Sequence, residues 1–99
     1  MNDVFYLPEA VFNDPKFKKL PCSCILLYVE ICKHRDTFGD KNGCFRYFMK
    51  DFQKDIGLSL NTIKRAKKLL IDNSFIFVEP GYWDRGIYYP ELYKANCRH

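Results

Sequence analysis

From Pro21 to Arg35 the chain reads PCSCILLYVEICKHR, its most apolar stretch. Cys24, Leu27, Tyr28 and Ile31 recur at i, i+3, i+4 and i+7, the spacing of one buried helix face. Ile25, Leu26, Val29 and Cys32 fall on other sides, so this helix must be covered on more than one face. The N-terminal segment or a second subunit is the expected cover. Ile25, Leu26 and Val29 are a candidate dimer interface if that segment leaves them bare. A further helix is expected from Met49 to about Ile56, and another from about Leu60 to Asp72. In the latter, at ~100° per residue, Ile63, Ala66 and Leu70 cluster within an arc of ~60° and form the inward stripe. Gly57 is expected to stop the first of this pair in the left-handed conformation, and Ser59 to cap the second.

Upstream, Pro8 and the pair Asp14-Pro15 are helix-start cues, predicting one or two short helical turns within residues 7–19. Gly39, Asn42 and Gly43 predict a loop over 36–43, followed by a short strand at Cys44–Arg46. The stretch FIFVEPGYWDRGIYYP predicts two strands, Phe75–Glu79 and Ile87–Tyr89, around a Gly-containing loop. The whole, 1–99, reads as a single domain, with residues 1–19 an N-terminal extension and 91–99 a tail.

Composition narrows the class. With 47% hydrophobic and 17% aromatic residues the chain is no disordered segment. No apolar run approaches the ~20 residues that span a bilayer, and no signal-peptide pattern is present, so the expected setting is cytoplasmic, or host-cell cytoplasm for a viral protein. Five cysteines without a secretory signal are expected to be reduced, with Cys97 the most exposed thiol.

Charge changes the picture more. The net charge of +4 is modest, but residues 1–15 carry Asp3, Glu9 and Asp14 and no cation, whereas Lys64, Arg65, Lys67 and Lys68 crowd one helix. Asn61, Lys64, Arg65 and Lys68 fall within an arc of ~100° nearly opposite the apolar stripe. Thr62 flanks this face, and Lys67 lies at the stripe's edge, from which it can snorkel outward. A concentrated positive face points to a polyanion. Two helices joined by a tight turn give helix-turn-helix organisation, in which the second helix enters the DNA major groove. Arg pairs bidentately with guanine and Asn with adenine, while Lys neutralises phosphate.

The stretch GCFRYFMKDFQKDIGLSLNTIKRAKKLLIDNSFIFVE, with LPCSCILLYVEI upstream, resembles the winged helix-turn-helix domains of phage and plasmid replication initiators and small mobile-element regulators. In those domains a short strand leads to a helix similar to MKDFQKDIG, then to a serine-capped recognition helix similar to LSLNTIKRAKKLL. DNSFIFVE resembles the turn and first wing strand, with Ser74 where glycine is usual. The resemblance covers about residues 20–90. It implies an α+β fold, mainly α: three main helices plus a small antiparallel β-wing, behind a short helical extension. It also implies a wing tip that touches DNA, where Arg85 would serve. The neighbouring Tyr82 and Trp83 are expected to fold onto the core; left exposed, they would offer a protein contact.

The expected function is double-stranded DNA binding, as a transcriptional regulator or replication-initiation protein of a phage, virus or plasmid, with a homodimer as the working form. The expected contacts are Ser59, Asn61, Thr62, Lys64, Arg65, Lys68 and Arg85, with Lys50 or Lys54 as further phosphate contacts. The alternative is a winged-helix interaction module docking an acidic protein. No cofactor, metal or catalysis is expected. Cys22 and Cys24, ~200° apart on a helix, cannot grip one ion, and His34 and His99 have no evident partners.

Overall fold

The computed structural model describes residues 7–96; the expectations for His99 and Cys97 lie outside them. Among the described residues are five helices and five strands, an α+β arrangement. Two four-residue helices, α1 (Glu9–Phe12) and α2 (Pro15–Lys18), open it where Pro8 and Asp14 predicted them. Asp14 caps α2 by accepting from the Lys16 N–H at 2.8 Å. Then come α3 (Cys22–Phe38), β1 (Cys44–Arg46), α4 (Met49–Ile56) and α5 (Leu60–Asp72). Four strands follow: β2 (Ile76–Glu79), β3 (Tyr82–Asp84), β4 (Ile87–Tyr89) and β5 (Leu92–Ala95).

The apolar faces of α3 are covered from within the chain. Cys24, Leu27, Tyr28, Ile31 and Cys32 are at most 1% exposed. Phe12 and Phe17 meet the Tyr28 ring edge-on at 5.9 and 5.2 Å, so the N-terminal helices are the second cover. Of the expected interface residues, Ile25 and Val29 are half-buried and only Leu26 is exposed. On another side α5 comes so close that the Cys24 thiol lies 3.8 Å from the Ala66 carbonyl oxygen. Burial raises the pKa of that thiol, so it stays protonated and unreactive.

Two expectations are corrected here. The loop expected at 36–43 begins later, because α3 continues to Phe38. Asp36 and Thr37 look like loop residues, yet the extra turn stacks Phe38 on His34, with ring centroids 5.4 Å apart. The tail expected from residue 91 is instead β5, the central strand of a three-stranded antiparallel sheet in the order β1-β5-β2. Tyr93 stands opposite Phe45 on one side and Val78 on the other. Tyr93 and Ala95 point into the core while Lys94 faces out, the alternation of a strand with one buried face. A further strand was also missed: β3 pairs with β4 in a separate hairpin.

The end of α5 shows a residue in an unfavourable place. The Phe75 N–H bonds the Leu70 carbonyl at 2.9 Å and the Ser74 N–H bonds that of Ile71 at 3.0 Å, the two bonds of a Schellman cap. Such a cap needs a left-handed residue at the position Ser74 occupies, and its φ is 62°. The Leu70–Phe75 apolar pair that accompanies the motif is fully buried. A left-handed L-residue costs about 1–2 kcal/mol, partly offset by the extra unfolded-state entropy of glycine. Ser74→Gly should therefore stabilise the protein by roughly 0.5–1 kcal/mol, raising Tm by about 4 °C in thermal unfolding followed by circular dichroism.

Candidate nucleic-acid interface

The bend between α4 and α5 forms as its residue types dictate. Gly57 ends α4 with φ 71° and ψ 21°, its N–H bonding the Gln53 carbonyl at 2.9 Å. Ser59 caps α5, its Oγ accepting from the Thr62 N–H at 3.2 Å and lying 2.8 Å from Thr62 Oγ1. Both hydroxyls expected to contact a ligand are thus engaged with each other at the helix start.

Ile63, Ala66 and Leu70 are buried at 0–1% exposure, as the stripe predicted. Asn61, Lys64, Arg65 and Lys68 are exposed, so the structure brings these four together on one outward face. Lys64 and Arg65 form no ion pair with any described residue. Lys68 lies 3.2 Å from Asp72 one turn on, but its side chain is 77% exposed. Such exposed i,i+4 pairs contribute only about 0.3–0.5 kcal/mol and leave the amine available. Lys50 and Lys54 are also exposed, on α4.

Lys67 does not reach out over the stripe. Its ammonium lies 3.0 Å from both Glu91 carboxylate oxygens, and the side chain is only 17% exposed. Glu91 also accepts from the Tyr93 hydroxyl at 2.8 Å. Burial, and then that carboxylate, raise the Tyr93 pKa well above its ordinary value, so the phenol stays a donor. This chain of three groups ties α5 to β5. Sequence spacing could not show it, because Glu91 was assigned to a tail.

The β3–β4 hairpin turns through Arg85 and Gly86, whose φ values of 53° and 80° are those of a two-residue type I′ turn. Arg85 stands at the tip with its side chain 93% exposed, its Nε 4.0 Å from Asp84 Oδ1. Tyr82 and Trp83 do not fold onto the core: they are 46% and 72% exposed. Each instead meets a cross-strand ring, Tyr82 stacking on Tyr89 at 5.0 Å and Trp83 tilted against Tyr88 at 5.2 Å. Arg46 sits 4.8 Å above the Tyr82 ring and donates to the Pro90 carbonyl at 2.9 Å, holding the hairpin to the sheet. An open cleft of about 350 Å³ lies at the base of this hairpin, between Phe48, Tyr88 and Pro90.

His34, read as having no partner, has several. Its Nε2 is 3.1 Å from Asp55 and 3.9 Å from Glu30, and its ring packs 4.4 Å from that of Tyr47. The helical spacing of Glu30 and His34 was the available signal; Asp55 was visible only once α4 was placed.

No protein-family model matches the chain, and no curated protein or solved structure is significantly similar to it.

The different duties of the cations give a test. Lys67→Met should lower Tm, since it leaves the half-buried Glu91 without its counter-ion, while leaving the salt dependence of any polyanion binding unchanged. Lys64→Ala should do the reverse. Thermal unfolding and a salt titration of DNA affinity on both variants would check this separation.

Proposed function

We propose that this chain is a winged helix-turn-helix domain that binds double-stranded DNA, with α5 as the recognition helix in the major groove and the β3–β4 hairpin as the wing. The observation that carries the reading is the outward row Asn61, Lys64, Arg65 and Lys68, backed by the fully buried stripe Ile63, Ala66 and Leu70. A cation row held on a rigid, capped helix loses little backbone freedom on meeting phosphates. The succession of strand, helix, tight turn, helix, strand and hairpin is of the kind the resemblance implies; because β2, the strand it would make the first of the wing, pairs with β5, we read the wing as the separate β3–β4 hairpin.

In this reading Asn61, Thr62 and Arg65 meet base edges, and Lys64 and Lys68 meet phosphates. Ser59, at the helix start, lies where N–H groups and the positive end of the helix dipole favour an anion. Arg85 reaches the minor groove or the backbone from the wing tip. One recognition helix reads few base pairs, so we assign the working form to a homodimer on a two-part site. The role as transcriptional regulator or replication-initiation protein of a phage, virus or plasmid rests on the resemblance alone. A second reading, a module docking an acidic protein, draws on the exposed Tyr82 and Trp83.

Selection from a random duplex library at ~150 mM salt, followed by anisotropy titrations on the selected site, decides between them. With about five phosphate contacts, log K should fall against log salt with a slope near −4 to −5. Lys68→Ala should flatten that slope by about one unit, and Arg65→Ala should cost ~1–3 kcal/mol on the selected site alone. Retention of DNA by the Lys64/Arg65/Lys68 triple alanine variant would sink the assignment, as would failure to enrich any sequence.

A further inference from the structure

We infer that Glu30, His34 and Asp55 form a binding site for one divalent transition-metal ion of the zinc type, stapling α3 to α4. The inference is independent of the DNA reading. Glu30 and His34 lie one helical turn apart on the same face of α3, and Asp55 comes across from the last turn of α4. One ligand atom from each, a nitrogen and two carboxylate oxygens, lie within 4.8 Å of one another. Ligands around a tetrahedral zinc ion, with bonds near 2.0–2.1 Å, stand ~3.3 Å apart. His34 Nε2 is already 3.1 Å from Asp55 Oδ2 and 3.9 Å from Glu30 Oε1. Side-chain adjustment of at most about 1.5 Å completes the set.

Two independent features point to a cation there. Glu30 is a buried acid, its side chain 9% exposed, whose partners among the described residues are two long ion pairs, to Lys33 Nζ at 3.7 Å and His34 Nε2 at 3.9 Å. Both contacts are long, so the carboxylate keeps lone pairs that a metal ion can take. With a neutral imidazole the trio carries two negative charges, and the lysine or arginine within 4 Å of it among the described residues is Lys33, itself 56% exposed. Tyr47 donates to Asp55 Oδ2 at 2.6 Å and so orients this ligand, the outer-sphere arrangement found around metal-bound carboxylates. Asp55, with its side chain 31% exposed, keeps the mouth open for a water as fourth ligand. On binding, the ion takes the Nε2 position of His34: a neutral ring then carries its single proton on Nδ1, and a doubly protonated ring gives up the Nε2 proton to water.

The test is calorimetric titration of the full chain with Zn²⁺ near neutral pH, with Co²⁺ as a spectroscopic probe. One ion per chain is expected, with visible d–d bands and no thiolate charge-transfer absorption. Glu30→Gln and Asp55→Asn should each weaken binding by at least the roughly 10–100-fold that loss of an outer-sphere partner costs. Zn²⁺ should raise the Tm of the wild type and not of Glu30→Gln. His34→Asn should abolish binding; should this variant fail to fold, the two carboxylate variants decide the matter alone. Absence of binding, unchanged affinity in both carboxylate variants, or a Co²⁺ spectrum dominated by thiolate bands would overturn the inference.

Discussion

The packing of the α5 stripe against α3 governs everything outside it. Ile63, Ala66 and Leu70 are closed off from water, and the small Ala66 lets the Cys24 side of α3 approach its backbone. A helix has one rotation about its own axis. Burying this stripe therefore fixes which residues face away, and those are Asn61, Lys64, Arg65 and Lys68. The cationic face follows from the core. A polar residue at Ala66 or a bulky one would disturb the orientation of the row without touching a single cation.

Polar contacts at the margins refine that orientation. Lys67 is drawn down to Glu91 and Tyr93, which removes one cation from the outward set and anchors the middle of α5 to the sheet. His34, Tyr47 and Asp55 do the equivalent for α4, whose last turn carries Asp55 just ahead of Gly57. The bend is thus held from both sides, by one polar network before it and another after it.

Much of the helical half was legible in the sequence because it rests on local rules. The α3 and α5 stripes repeat at helical spacing, Gly57 and Ser59 are stop and start residues with plain physical reasons, and Asp14 caps where a proline follows. The departure at Ser74 was visible as well, and the strained φ is its counterpart in the structure. What was not legible depends on distant partners. β5 is four residues long, follows a proline, and becomes a strand only because β1 and β2 flank it. The partners of Lys67 and His34 lie 24 and 21 residues away. The exposure of Trp83 escaped composition-based reasoning because its cross-strand partner Tyr88 gives the ring a contact without covering it. Of the interface, the cationic face was readable; how much of it is free for a ligand was not.

The placement of β5 bears on how the molecule comes into being. A ribosome delivers α3, β1, both helices of the bend and β2 before the strand that joins the two outer edges exists. Until Leu92–Ala95 emerges, β1 and β2 lack the strand that pairs with both, and the basic helix, though packed on α3, lacks its tie through Glu91 and Tyr93. Pairing across fifty positions between Cys44 and Lys94 makes this a long-range contact of the kind that forms slowly. The last polar tie on the basic helix, through Glu91 and Tyr93, therefore comes from residues made after the helix itself.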